Sequence, residues 1–174
     1  MAQTPSARRP VPGGAAPQAS DDAAAVRALC TRERFGTLAT LARDPVGHPF
    51  ASAVAFALGP DGQPLLLLSG LAEHTQNLHA DPRVSLLVCA SPTPGKPVSP
   101  LASERVTVLG DVERVGPSDI GAARDAYLQV HPEAARYLEL DFVFYRLCVR
   151  SARYVGGFGR MSWLDGASLA PRDG

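Results

Sequence analysis

At 174 residues, 45% of them hydrophobic and 20% charged, the chain is long enough for one packed domain and short for two. Its 17 lysines and arginines balance its 17 aspartates and glutamates, so no global field draws it to nucleic acid or to an anionic membrane surface. The longest apolar runs, such as 64–68, fall far below the roughly 20 residues that a membrane-spanning helix needs. Cys30, Cys89 and Cys148 stand far apart with no CxxC pair; that excludes a disulfide framework and a zinc knuckle and fits free thiols in a reducing cytoplasm.

Residues 1–20 mix Pro, Ala, Gly and Ser without an apolar stretch and read as a disordered tail. Arg8-Arg9 lacks the apolar region that a twin-arginine signal requires. The folded domain is expected over 21–166, with 167–174 a short C-terminal tail. Ser20, Asp21 and Asp22 would cap a first helix running to about Arg34. The apolar period then shortens. Phe35 to Leu41 and Phe50 to Leu58 read as a strand hairpin, parted by the proline-glycine turn at 44–47. A second turn at 59–62 leads into the leucine run 65–68, a central strand ending at Ser69-Gly70. A short helix follows from Ala72 to Ala80, closed by Asp81-Pro82.

Arg83 to Ala90 is a further strand, and the segment 91–100 carries too many prolines to join a sheet interior. Glu104 to Val115 alternates as a strand. Ile120, Ala123, Tyr127 and Val130 fall on one side of a helix, and Pro132 opens another short one. Phe142 to Val149 and Ala152 to Val155 return to strand character. Hairpin connections dominate, and strand-helix-strand alternation does not repeat. This order predicts a mainly β, α+β fold: an antiparallel barrel with peripheral helices.

The stretch 65–88, LLLLSGLAEHTQNLHADPRVSLLV, carries the most chemical information. A strand ending in Ser69 followed by a helix start with His74 and Thr75 brings a hydroxyl, backbone N–H groups and an imidazole together, a plausible anion site. The same residues also read as a plain strand end and a solvated helix face. His74 and His79 are five apart and make a poor metal pair, so no metal site is expected. There is no GxSxG elbow, and no cysteine sits in a setting that marks it as reactive. The glycines at 156, 157 and 159 lack dinucleotide-loop spacing.

Taken in order, HPFASAVAFAL, PLLLLSGLAEHTQNLHADPRVSLLV, SERVTVLGDVERV and the final YLQVHPEAARYLELDFVFYRLCVRSARYVGGFGRMSWLD resemble the haem-utilisation (HugZ-type) branch of the pyridoxamine 5'-phosphate oxidase-like flavoproteins. The resemblance runs over roughly residues 27–165. It implies a split β-barrel homodimer holding FMN in clefts between subunits, with Ser52, Ser69, His74 and Thr75 around the flavin phosphate and ribityl chain. It also places Arg105 on a strand approaching the flavin, and Arg160 and Trp163 in a segment closing over the cleft. Gly70 stands where relatives commonly carry an arginine, and Ala51 to Leu58 offers none of the basic residues that bind the substrate phosphate in vitamin B6 oxidases.

Three functions follow as expectations: an FMN-dependent oxidoreductase acting on a small-molecule substrate, a haem-binding or haem-degrading protein on the same barrel, or a cofactor-free interaction module. Dimerisation is expected under all three, because a small open barrel would otherwise expose apolar surface.

Overall fold

The computed structural model describes residues 16–92, 94–95, 99, 101–157 and 159–170. Residues 1–15 of the expected disordered tail and 171–174 of the expected C-terminal tail lie outside the described residues, as does part of the proline-rich segment 91–100. Among the described residues the chain runs α1 (Ala16–Arg32), β1 (Phe35–Leu41), β2 (Pro49–Leu58), β3 (Pro64–Ser69), α2 (Glu73–Ala80), β4 (Arg83–Cys89), β5 (Arg105–Arg114), α3 (Ile120–Val130), β6 (Phe142–Val155) and β7 (Met161–Asp165). Short 3-10 turns occupy Pro132–Tyr137 and Gly166–Leu169.

All strand pairings are antiparallel. The strand order is β3-β2-β1-β4-β5-β6-β7, and β3 also pairs with β6. Six strands therefore close a barrel, and β7 extends it along the C-terminal half of β6. The antiparallel barrel with peripheral helices expected from the sequence is the fold observed.

The uninterrupted leucines of β3 follow from this layout. Leu66 and Leu68 point into the barrel core, while Leu65 and Leu67 point outward beneath α3, where they meet Ala57, Tyr127 and Phe144. A strand covered on both faces needs no polar alternation. On β5 the inward Val106, Val108 and Val112 alternate with half-buried outward residues. One barrel mouth is plugged by α1 through Ala23, Val26 and Leu29.

Three local readings change. The first helix begins at Ala16, ahead of the expected cap, so Asp22 sits within the helix and is buried instead of serving its amino end. The two strands expected at 142–149 and 152–155 are one, because Arg150 is accommodated as a bulge: Leu109 pairs Ser151 and Gly110 pairs Val149. Gly110 is required there, since a Cβ would lie 2.2 Å from the Cys148 carbonyl oxygen. Finally, the Gly156 N–H donates to the Arg160 carbonyl at the start of a hairpin into β7, with Gly157 and Gly159 at positive φ. Leu169, four residues beyond that strand, is buried in the core although composition placed it in a tail.

Candidate functional site

Ser69, His74 and Thr75 come together at the corner where β3 turns into α2. The Ser69 hydroxyl donates to the Asp141 carboxylate at 2.6 Å, and the Leu71 N–H lies 3.2 Å from both the Ser69 Oγ and the Asp141 Oδ2. Asp141 precedes β6, and the Ser69–Phe142 register of the β3–β6 ladder brings it there. The Gly70 N–H donates to the Asp141 carbonyl, Ala72 N–H to the Ser69 carbonyl, and Thr75 and Gln76 N–H to the Ala72 carbonyl. Gln76 returns its amide to the Gly70 carbonyl at 2.6 Å. The Ser69 hydroxyl and the N–H groups of Gly70, Leu71, Ala72, Thr75 and Gln76, which would greet an external anion, are thus taken up within the chain.

The Ser69 hydrogen bond holds the Asp141 carboxyl below its ordinary range. Partial burial lowers the His74 imidazole, which favours its neutral form. Thr75 is fully buried, with its hydroxyl unpartnered among the described residues. Arg43, the cation at the same helix, pairs with Glu73 at 3.5 Å. Beneath it, Asn77 accepts the Arg43 N–H at 3.2 Å and donates to the Thr40 hydroxyl at 3.0 Å, fastening α2 across the second mouth of the barrel.

The other predicted residues fall elsewhere. Ser52 pairs with Leu38, a fully buried core residue, and directly paired residues project to one side, so Ser52 faces the barrel interior. Arg160 donates from Nε to the buried Asp22 at 2.7 Å and lies over the Tyr154 ring at 5.7 Å. That contact ties α1 to the β6–β7 hairpin.

Arg105 and Trp163 share a different surface. The row Ala53, Thr37, Leu87, Thr107, Arg153, Trp163 runs directly across β2, β1, β4, β5, β6 and β7 on the outside of the barrel. The next row continues Cys89, Arg105, Val155, Met161. Helix α3 covers another part of the outer wall, and among the described residues no helix covers this one, where Phe35 is 67%, Met161 57% and Trp163 44% exposed. The Arg153 guanidinium lies 5.6 Å from the Trp163 ring centre. Arg105 donates to the Ser103 carbonyl at 3.2 Å.

Sequence reasoning missed Asp141, Asn77 and Arg153, and it gave His131 no part in the core. His131 is buried, its Nε2 is 2.9 Å from the Phe56 carbonyl oxygen, and its ring lies tilted against Tyr127 with 4.9 Å between centres. That makes it part of the core under α3. No local pattern marks these residues, whose roles appear only once the strands are paired.

A closed six-stranded antiparallel barrel with one mouth plugged by a helix and an added edge strand is a split β-barrel. The chain matches the model of the family described as CREG, beta-barrel over residues 17–169, and it belongs to that family. It is 36% identical over 132 residues to the chloroplastic haem oxygenase HOZ of Arabidopsis thaliana, covering 76% of this chain and 39% of that protein. Among solved structures it is similar to a haem-binding protein from Mycobacterium smegmatis, with 38% identity, a TM-score of 0.77, and coverage of 87% of this chain and 59% of the other. A FAD-binding protein of Mesorhizobium loti shares the fold alone, at 23% identity, a TM-score of 0.59, and coverage of 75% and 89%. The chain thus spans less than two thirds of the first two relatives. Among the described residues no helix is long and apolar enough to cross a membrane, and no cluster of ligating side chains could hold a metal ion.

Proposed function

We propose that this chain is a haem-binding protein that works as a homodimer, with haem held against the bare outer wall of the barrel where two subunits meet. The observation that carries this reading is the make-up of that wall, where Leu87, Met161 and Trp163 stand beside Arg105 and Arg153. Haem joins a wide apolar ring to two carboxylates, so its site needs apolar area with cations beside it. The residues present fit that demand. Phe35, Leu87, Met161 and Trp163 would lie against the ring, and Arg105 and Arg153 would pair with the carboxylates. When bound, haem supplies the redox and oxygen chemistry of its iron. The chain's own part is to bind and orient the group and to exclude water by dimer closure.

Dimerisation is favoured because burying the exposed Phe35, Met161 and Trp163 against a second copy would remove them from water. The identity with HOZ and with the mycobacterial haem-binding protein supports haem as the ligand and haem degradation as the reaction. The three free thiols fit a reducing cytoplasm. The second reading is an FMN-dependent oxidoreductase acting on a small substrate, favoured by the fold shared with a FAD-binding protein.

Purified protein incubated separately with haemin and with FMN, then desalted, decides between them by absorbance. A retained Soret band with no flavin doublet is expected. A flavin doublet alone would establish the second reading, and neither would leave a cofactor-free interaction module.

A further inference from the structure

We propose that Asp141 is a built-in anion that closes the β3–α2 corner to phosphate, so that the barrel selects against a cofactor anchored by a phosphate monoester. A strand-end hydroxyl, the N–H groups of a tight turn and a helix start are the donors such a phosphate would use. In this chain the Asp141 carboxylate accepts both the Ser69 hydroxyl and the Leu71 N–H, while its carbonyl takes the Gly70 N–H. Backbone carbonyls occupy the N–H groups of Ala72, Thr75 and Gln76.

Two physical effects oppose an incoming phosphate. A carboxylate held in the same chain competes at an effective concentration on the order of millimolar or above, whereas a free cofactor arrives at its solution concentration. The phosphate would also meet a fixed negative charge, with the Arg43 guanidinium already engaged by Glu73. A Cβ at Gly70 would point towards Asp141, 3.7 Å from its carboxylate, and glycine supplies no cation there. The residues present therefore do not fit the phosphate of FMN.

This inference deepens the haem reading, on which its biological sense rests, by naming what excludes the rival cofactor. Its test does not depend on haem. FMN and riboflavin differ by the phosphate alone, so the ratio of their affinities isolates this corner. Fluorescence titrations would compare the natural chain with Asp141→Ala and with the isosteric Asp141→Asn, each first checked for an unchanged circular dichroism spectrum.

In the natural chain FMN should hold no advantage over riboflavin. Asp141→Ala should raise the FMN-to-riboflavin affinity ratio at least tenfold, with Asp141→Asn rising less. A natural chain that already prefers FMN tenfold would overturn the proposal, as would a ratio left unchanged by both substitutions or no detectable FMN binding to either variant. Should Asp141→Ala fail to fold, Asp141→Asn carries the test alone. Loss of the Soret band in haem titrations of the natural chain would count against the haem reading and leave this result standing.

Discussion

Asp22 and Arg160 lie 138 positions apart and meet at 2.7 Å, the carboxylate 1% exposed and the guanidinium 43% exposed. Removing the arginine leaves a buried carboxylate without its partner, which costs far more than losing a surface pair. Arg160→Ala is expected to lower the thermal midpoint by on the order of 5 °C while haem retention stays close to that of the natural chain. Circular dichroism melts beside Soret titrations separate the two. An unchanged midpoint with lost haem would instead make Arg160 a ligand-contacting residue.

Arg153 lies over Trp163 at the β7 end of the bare wall. Reversing its charge with Arg153→Glu should weaken haem binding at least tenfold, because an attraction to carboxylate becomes a repulsion. Trp163→Ala removes ring contact without reversing charge and should weaken it less. Haem affinity from Soret titration ranks the two, and the opposite order would place the carboxylates away from Arg153.

Asn77 is fully buried and satisfies the Arg43 N–H and the Thr40 hydroxyl at once. Asn77→Leu leaves the Arg43 N–H unpaired and the Thr40 hydroxyl with only its 3.4 Å bond to the Phe50 carbonyl, and should cost about 1–3 kcal/mol in denaturant unfolding. A neutral result would mean that water replaces the amide at both contacts.

The architecture was largely legible. The proline-glycine turns and alternating runs define β1 to β5 within a residue or two, and the hairpin connections point to an antiparallel barrel. The bulge at Arg150 was not legible, because a residue accommodated inside one ladder looks locally like a break between two strands. β7 was hidden by its glycines, since a short edge strand carries few buried positions and only Leu164 among Met161–Asp165 is buried. The site was legible only as fragments. Ser69, His74 and Thr75 are near neighbours in sequence and do share a corner. Asp141 fills that corner through a pairing 72 residues long, which no local spacing encodes. Arg105 and Trp163 share a wall for the same kind of reason, across β5, β6 and β7.

Alkaline pH should expose the barrel's neutral acids. Burial pushes the Cys30 thiol and the Tyr127 hydroxyl up to about 12, and burial together with the Glu104 carboxylate does the same for Tyr154. The unfolded chain releases these protons from pH 9 or 10, where the folded chain still holds them, so their contribution is intact below pH 9 and is lost as pH climbs to about 12. Denaturant midpoints measured from pH 8 upward should fall steadily across that window. A flat profile would show that these groups ionise without opening the core.

Leu87 occupies the middle of the bare wall, between Thr37 and Thr107. Sedimentation equilibrium after incubation with haemin, read both at the protein absorbance band and at the Soret wavelength, tests the assignment of that wall most directly when the natural chain is compared with Leu87→Glu. The natural chain should sediment as a dimer carrying haem, and Leu87→Glu should yield a folded monomer that has lost it. A Leu87→Glu protein that stays dimeric and keeps its Soret band would place both the partner and the haem on another surface.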